Sequence, residues 1–407
     1  MAYPLPTRTL SNTATDHLAD HNSIHPKLND IPNVMRDYGA KGDGVTNDAP
    51  AFNNLIAALP STSNATSPTG GMFYVPPGRY IIGTPGITVP STTQVWMLGS
   101  NFASTGHSAN KVACQLISPS GATWPVITMG ESTGSAAWYG SKIENISFRD
   151  AGGNGVGGIQ WWNSCMGQVV NCDFQNFQAG FGVATGPMAS ANPQYTKIMF
   201  CRSESCKYGV YAYGADTEVI HCDLHGVNAT GSAVAIIGSI GVDCQGGCHI
   251  VGGSIQDWET GVRFQGAAGK IYGTALENSS GTGENYGIRV MGTASLTYIA
   301  GIDIVNTYQV GGIVLEAGAT LTTIVGSGGN ISGFSGLGSQ IIDNSGDGTN
   351  VVFDAKYGMR PRRATTSSRN SFATSIPQGT EMYDTTLNKP IWKDGAGNWR
   401  DAAGNIV

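Results

Sequence analysis

The chain has 407 residues, 58 of them glycine, with only 12% charged and a formal net charge of −6. A weakly acidic chain without a basic stripe is not built to hold nucleic acid. No apolar run reaches membrane-spanning length, and no basic segment followed by an apolar core opens the chain, so neither membrane insertion nor a secretory signal is expected.

Residues 1–33 are polar, and Leu18, Ile24, Leu28 and Ile31 are too sparse for a core, so the segment needs a partner to order it. His17, His21 and His25 read as a solvated or interfacial face. Residues 34–100 open the coil. Asn47-Asp48-Ala49-Pro50 supplies capping groups and a first-turn proline, after which Phe52, Leu55, Ile56 and Leu59 recur at helix spacing, predicting a short amphipathic helix over an apolar end. Two short strands joined by a Pro-Gly turn follow, through Met72–Ile82.

Residues 101–356 carry a repeated phrase in which an apolar or small residue sits between two variable ones, followed by Asn, Asp or another small residue. Its central residues are Phe148, Phe174, Ser203, Leu224, Ile255, Leu276, Ile304 and Ile331. They recur at roughly 21 to 31 positions, the irregular period of a β-solenoid with unequal loops. A period of 2 inside each phrase puts the central residue on one face and its neighbours on the other. An antiparallel sandwich would instead give turns every 8 to 12 residues with no repeated phrase. Gly180, Gly209, Gly231, Gly261, Gly287 and Gly312 follow the phrases and are expected at bends that open a second strand. Stacked coils then bury one continuous apolar column.

Cys172, Cys201 and Cys222 fall at comparable coil positions and read as small buried residues rather than a disulfide framework. Cys244, Cys248 and His249 lack a second ligand pair, so no metal is expected there, and no cofactor is implied. Residues 357–378, with Arg360-Pro361-Arg362-Arg363 and a Thr/Ser run, read as a linker. Residues 379–407 read as a small β module with strands around Tyr383 and Ile391-Trp392, too small to bury enough surface alone.

Val34-Met35-Arg36-Asp37-Tyr38-Gly39-Ala40-Lys41-Gly42-Asp43-Gly44-Val45-Thr46-Asn47-Asp48, together with Tyr74-Val75-Pro76-Pro77-Gly78-Arg79-Tyr80, resembles the opening of the pectate-lyase-like superfamily. That resemblance implies an all-β, right-handed parallel β-helix; it does not choose among lyases, glycoside hydrolases and phage tailspikes. The Asp16–Asn29 segment is similar to N-terminal adaptor segments of phage tail proteins. The stretch Ile376–Asp401 is similar to a terminal module of tail fibres and tailspikes. These likenesses imply a virion tail protein, made in the host cytoplasm, that forms a homotrimer, joins other tail or baseplate proteins through its N-terminus, and meets a host surface glycan.

Parallel coils stack about 4.8 Å apart, so outward side chains at equal positions form ladders suited to an extended glycan. One expected ladder is Gln175, Glu204, His225, Gln256, Glu277; its neighbour is Asp173, Arg202, Asp223, Ser254. Strand geometry sets Glu204 and Asp223 diagonally, at roughly 7 to 8 Å, a spacing that suits an inverting glycoside hydrolase. Glu204, Asp223 and His225 are the candidate catalytic groups. Asp173, Arg202, Glu277, Trp258 and Tyr211 are candidate sugar contacts, the aromatics by stacking on pyranose faces. A polysaccharide lyase would use His225 as base and Arg202 at a uronate carboxylate. The same patch also fits a stabilising charge ladder in a tail protein used only for adhesion. The Asn-Thr-Asp, Asp-Asp and Gly-His-Gly set of polygalacturonases and the Asp-rich calcium cluster of pectate lyases are both missing from the sequence.

Overall fold

The computed structural model describes residues 31–61, 69–100, 114–131, 137–138, 140–162, 164–186, 195–213, 216–226, 236–277, 285–305, 310–325, 341–345, 350–354, 358–360, 362–364, 366 and 381–407. The N-terminal adaptor-like segment with His17, His21 and His25, most of the expected linker, and Gly231 and Ile331 lie outside these residues.

Short strands build three long sheets, and the chain visits them in turn. The first sheet has ten strands, running from Asp43–Asn47 and Gly78–Ile81 through Ser147–Asp150, Asp173–Gln175, Arg202–Glu204, Asp223–His225, Ser254–Gln256 and Ala275–Glu277 to Asp303–Val305. The second, also of ten, runs from Ile87–Val89 to Ile341–Asp343. The third has twelve, from Thr69–Val75 to Gly358–Arg360. Every pairing within them is parallel except the last in the third sheet, where Val351–Asp354 meets Gly358–Arg360 antiparallel. This is the parallel β-helix expected from the repeated phrase.

Register is one-to-one at the phrase centres: Phe148 faces Phe174, then Ser203, Leu224, Ile255, Leu276 and Ile304 follow in order. All seven are buried, and the Phe148 and Phe174 rings stack with centroids 4.9 Å apart. Cys172, Cys201 and Cys222 are buried and unpaired as expected, each thiol donating to the carbonyl two residues earlier.

The helix forms over Ala49–Ala58 and buries Phe52, Leu55 and Ile56. Its cap differs from expectation. Asp48 makes no side-chain capping bond; its carboxylate accepts the Lys41 and Gly42 amides, while Asn47 accepts from Ala49 and from Gly83 of the adjoining coil. Both side chains are spent on tying the opening turn to the coil.

Several repeated glycines also stand elsewhere than expected. Gly209, Gly261 and Gly287 lie inside second-sheet strands, not at bends. They stack with Gly182 and Gly241 so closely that a Cβ on Gly209, Gly241 or Gly261 would come 2.6 Å from the carbonyl oxygen of the next glycine. The bare backbone leaves room for core rings. Cβ atoms at Gly209 and Gly241 would lie 3.3 and 3.2 Å from the indole of Trp258, whose Nε1 donates to the Leu224 carbonyl.

Beyond the helix, Glu381–Asp384, Lys389–Lys393 and Trp399–Asp401 join Arg362–Ala364 in a separate four-stranded sheet over Met382, Ile391 and Trp399. Gly241→Ala is expected to lower the unfolding free energy by about 1 to 3 kcal/mol through overpacking against Gly261 and Ile255. Equilibrium denaturation checks it; an unchanged midpoint would mean the column is not close-packed.

Candidate functional site

Two partly exposed faces carry the chemistry. On the first sheet both expected ladders form. Asp173 pairs with Arg202, Arg202 with Asp223 and Asp223 with Ser254; Gln175 pairs with Glu204, Glu204 with His225, His225 with Gln256 and Gln256 with Glu277. Glu204 and Asp223 are therefore diagonal neighbours.

Side chains two apart on one strand share a face, and here they bond along the strand. Gln175 donates to Asp173 at 2.6 Å, Arg202 lies 3.2 Å from Glu204, His225 lies 3.0 Å from Asp223, and Gln256 donates to Ser254 at 2.8 Å. Asp173 is wholly buried between these partners, with Ser147 also reaching its carboxylate, and Oδ1 makes no hydrogen bond. Burial pushes its carboxyl up to about 7; Arg202 opposes that shift and Glu204 adds to it. The bond from His225 holds Asp223 below the usual carboxylate range, and Asp223 in turn raises His225. The face thus holds a carboxyl that keeps its proton near neutrality beside one that gives it up readily. Glu277 stands two strands beyond His225, with Gln256 between them.

The expected aromatic contacts are not on this face. Trp258 is 1% exposed and fills the space over the glycine column, so it cannot stack on a sugar. Trp161 is likewise in the core. Tyr211 belongs to the second sheet, on the strand Tyr208–Ala212, and is not adjacent to Glu204 or Asp223. There it closes on Tyr208 edge-to-face at 5.2 Å, and Tyr213, just past the strand, is exposed.

Beside these rings the structure brings together groups that the repeated phrase did not mark. Tyr211 faces Asp243, Asp243 faces Arg263 and Arg263 faces Arg289 across successive strands. Asp243 is fully buried and accepts two bonds from Arg263, at 2.9 and 2.7 Å, with one each from Gln245 and Gln265. Arg289 lies over the Tyr286 ring at 4.7 Å and pairs with Glu316 at 2.7 Å. The signal available in the sequence was spacing: Asp243 and Arg263 stand one coil apart. Aromatic rings beside fixed amide and guanidinium donors make a surface suited to hydroxyl-rich rings.

Cys244 and Cys248 are buried and His249 lies on a third-sheet strand facing outward, so the three do not converge. A hollow of about 300 Å³ lined by Gln94, Trp96, Lys142 and Gln168 lies on the third sheet, away from both faces.

Ionising Asp173 is harder in the folded chain than in the unfolded one. From about pH 4 to about 7 the folded state therefore holds more protons, and this group's contribution makes stability fall as pH rises. The His225 contribution is present below its ordinary value of 6.5 and fades as pH climbs through the raised one; that of Asp223 is present above 3.8 and fades as pH drops through the lowered one. Asp173→Asn is expected to gain about 2 to 4 kcal/mol relative to the parent between pH 4 and pH 8 in urea unfolding; a pH-independent difference would show that Asp173 ionises normally.

Residues 31–263 match the family described as rhamnogalacturonase A/epimerase, pectate lyase-like. A glucan 1,3-beta-glucosidase of Cochliobolus carbonum is 42% identical over 55 residues, which is 12% of this chain; the chain spans only 7% of that relative's length. Among solved structures, ORF18 of Geobacillus virus E2 superposes with a TM-score of 0.52 at 16% identity, covering 97% of this chain and 90% of that one. DFA-IIIase from Arthrobacter chlorophenolicus A6, in complex with GF2, gives 0.52 at 11% identity, covering 84% and 96%. At such identities the likeness is one of fold.

Proposed function

The chain belongs to the rhamnogalacturonase A/epimerase, pectate lyase-like family, and we propose that it is a phage tail protein that binds a host surface polysaccharide, with a face placed to depolymerise it. The observation that carries this reading is the in-register ladder that sets Asp173, Arg202, Glu204, Asp223 and His225 side by side along one face. The tail-like sequence at both ends supports the virion role, as does the fold shared over nearly its whole length with a viral protein. Trimeric assembly, attachment to other tail proteins through residues 1–33, and division at residues 33, 100, 356 and 378 belong to the same proposal.

In the hydrolytic form, the sugar displaces Arg202 from Glu204, which is 7% exposed, and Glu204 as general acid gives its proton to the leaving glycosidic oxygen. Asp223, ionised and oriented by His225, takes a proton from the water that attacks the anomeric carbon. Asp173 does not touch the sugar; its proton-holding carboxyl limits the negative charge packed around Arg202. Along the second sheet Tyr208, Tyr211 and Tyr213 stack on sugar rings, and Gln245 and Gln265 meet hydroxyls.

Glu204→Gln and Asp223→Asn are expected to cut the release of reducing ends from a cleaved capsular or lipopolysaccharide glycan by about 100-fold or more, with the far-ultraviolet dichroism unchanged. Retained cleavage would move the chemistry off this face, and products absorbing as unsaturated sugars would make it a lyase. Tyr211→Ala with Tyr213→Ala is expected to weaken glycan binding roughly tenfold, about 1.4 kcal/mol, in calorimetry; unchanged affinity would remove the platform. A second, purely adhesive reading is favoured by one observation: Arg202–Glu204 and Asp223–His225 are already closed within their own strands. Glycan binding without any product on prolonged incubation would select it.

A further inference from the structure

We infer that the outer face of the third sheet is where this chain binds further copies of itself, an inference that rests on the assembly proposed above and locates it. One outward column of that sheet is polar. The other is apolar from the strand after Glu144 onward: Val170, Met199, Ile220, Val251 and Tyr272 stand opposite one another in that order, and Val251 and Tyr272 are exposed. On the first sheet, by contrast, the corresponding outward ladders are built largely of carboxylates, amides, Arg and His.

Exposed apolar residues flank the column on several coils, with Asp216 and Ala268 at the same entry turn on others. Where the chain enters the sheet, Met166, Tyr195, Leu296 and Leu321 all have φ between 52° and 59°, and all four are exposed. Where it leaves, Phe200 has φ 54°, is 55% exposed, and stacks on His221 at 6.0 Å. On other coils that same exit turn is made by Asn145, Asn171, His221, Gly252, Gly273 and Gly301, all with positive φ. The left-handed conformation costs roughly 1 to 2 kcal/mol for a residue with a Cβ and is best tolerated by Gly and Asn. The turn itself needs only what Asn or Gly supplies. A large apolar side chain there adds strain; Phe200 covers part of its ring on His221 of the next coil and leaves 55% of its surface exposed to an outside partner.

Length and area identify the partner. Twelve strands at about 4.8 Å make a face about 50 Å long, and five residue steps from entry turn to exit turn make it about 17 Å wide. The product, about 900 Å² for the whole face with its polar column, of which the apolar column from Val170 to Tyr272 crosses five strands, is on the order of the 800 Å² per partner that a stable interface buries. Only a surface equally long, straight and of the same pitch covers it, and a second copy of this chain has one. The C-terminal sheet agrees, since a core of Met382, Ile391 and Trp399 is too small to stand alone.

The test is the oligomeric state of the full chain by sedimentation and light scattering, with Phe200→Asn, Leu296→Asn and Leu321→Asn combined. Asn suits the left-handed turn, so each coil keeps its fold while three of the five exposed apolar turn residues are lost. Wild type is expected to assemble at micromolar concentration and the triple variant to associate at least tenfold more weakly. An assembled variant indistinguishable from wild type would overturn the assignment of the face while leaving assembly intact; a monomeric wild type at tens of micromolar would overturn assembly itself. Should the triple variant misfold, Val251→Cys decides: its thiol is expected to react with a maleimide about tenfold more slowly in concentrated than in dilute protein, and equal rates would overturn the proposal. Glycan binding by the same samples is a separate readout that neither result touches.

Discussion

Parallel pairing of each strand with its counterpart one coil later is the interaction on which the rest depends. Because the pairing is one-to-one, a residue's neighbours are set by its place in the coil and not by the length of the loops between. A column such as Phe148, Phe174, Ser203, Leu224, Ile255, Leu276 and Ile304 can then be buried as one body, although no coil alone has a core. The same rule acts outward. Every solvent-facing position becomes a ladder, and a charge placed on one coil meets whatever the next coil offers at the same position.

That rule explains why the ionisable groups are perturbed as they are. A carboxylate in a ladder is flanked above and below by side chains at strand spacing, which strip water from it. Asp173 is covered in this way and holds its proton near neutrality, whereas Asp223, at the same place two strands on, is exposed and bonded by His225. Asp243 solves the same problem differently. It is buried as completely as Asp173, but Arg263, Gln245 and Gln265 fill its bonding capacity, the arrangement that makes a buried charge tolerable.

The ladder register was legible in the sequence because a period of 2 within the phrase and a small residue after it mark the same place on every coil. The positions of Glu204 opposite His225 and Arg202 opposite Asp223 follow directly. What was not legible depends on contacts between coils. Trp258 reads like a surface aromatic beside an Asp, and only the stack of bare glycines at 209, 241 and 261 shows that a cavity awaits its ring. Tyr211 lies a few residues past Glu204, yet the intervening turn carries it to another sheet and another face. The Asp243–Arg263 pair needs the coil length to be known before its spacing means anything. Phe200 and Leu296 look like core residues in a linear reading, because backbone sign at a turn leaves no mark in composition.

The stacking register itself can be measured by paired cysteines on the first sheet. Asp223→Cys with Ser254→Cys places two outward thiols directly opposite one another on adjacent strands, within the Cα separation of about 4.4 to 6.8 Å that a disulfide spans. Asp223→Cys with Ile255→Cys places one thiol outward and the other in the core. In-register stacking predicts rapid disulfide formation in the first pair under mild oxidation and none in the second. A bond in the second pair, or in neither, would contradict it, and with it the grouping of the residues on this face.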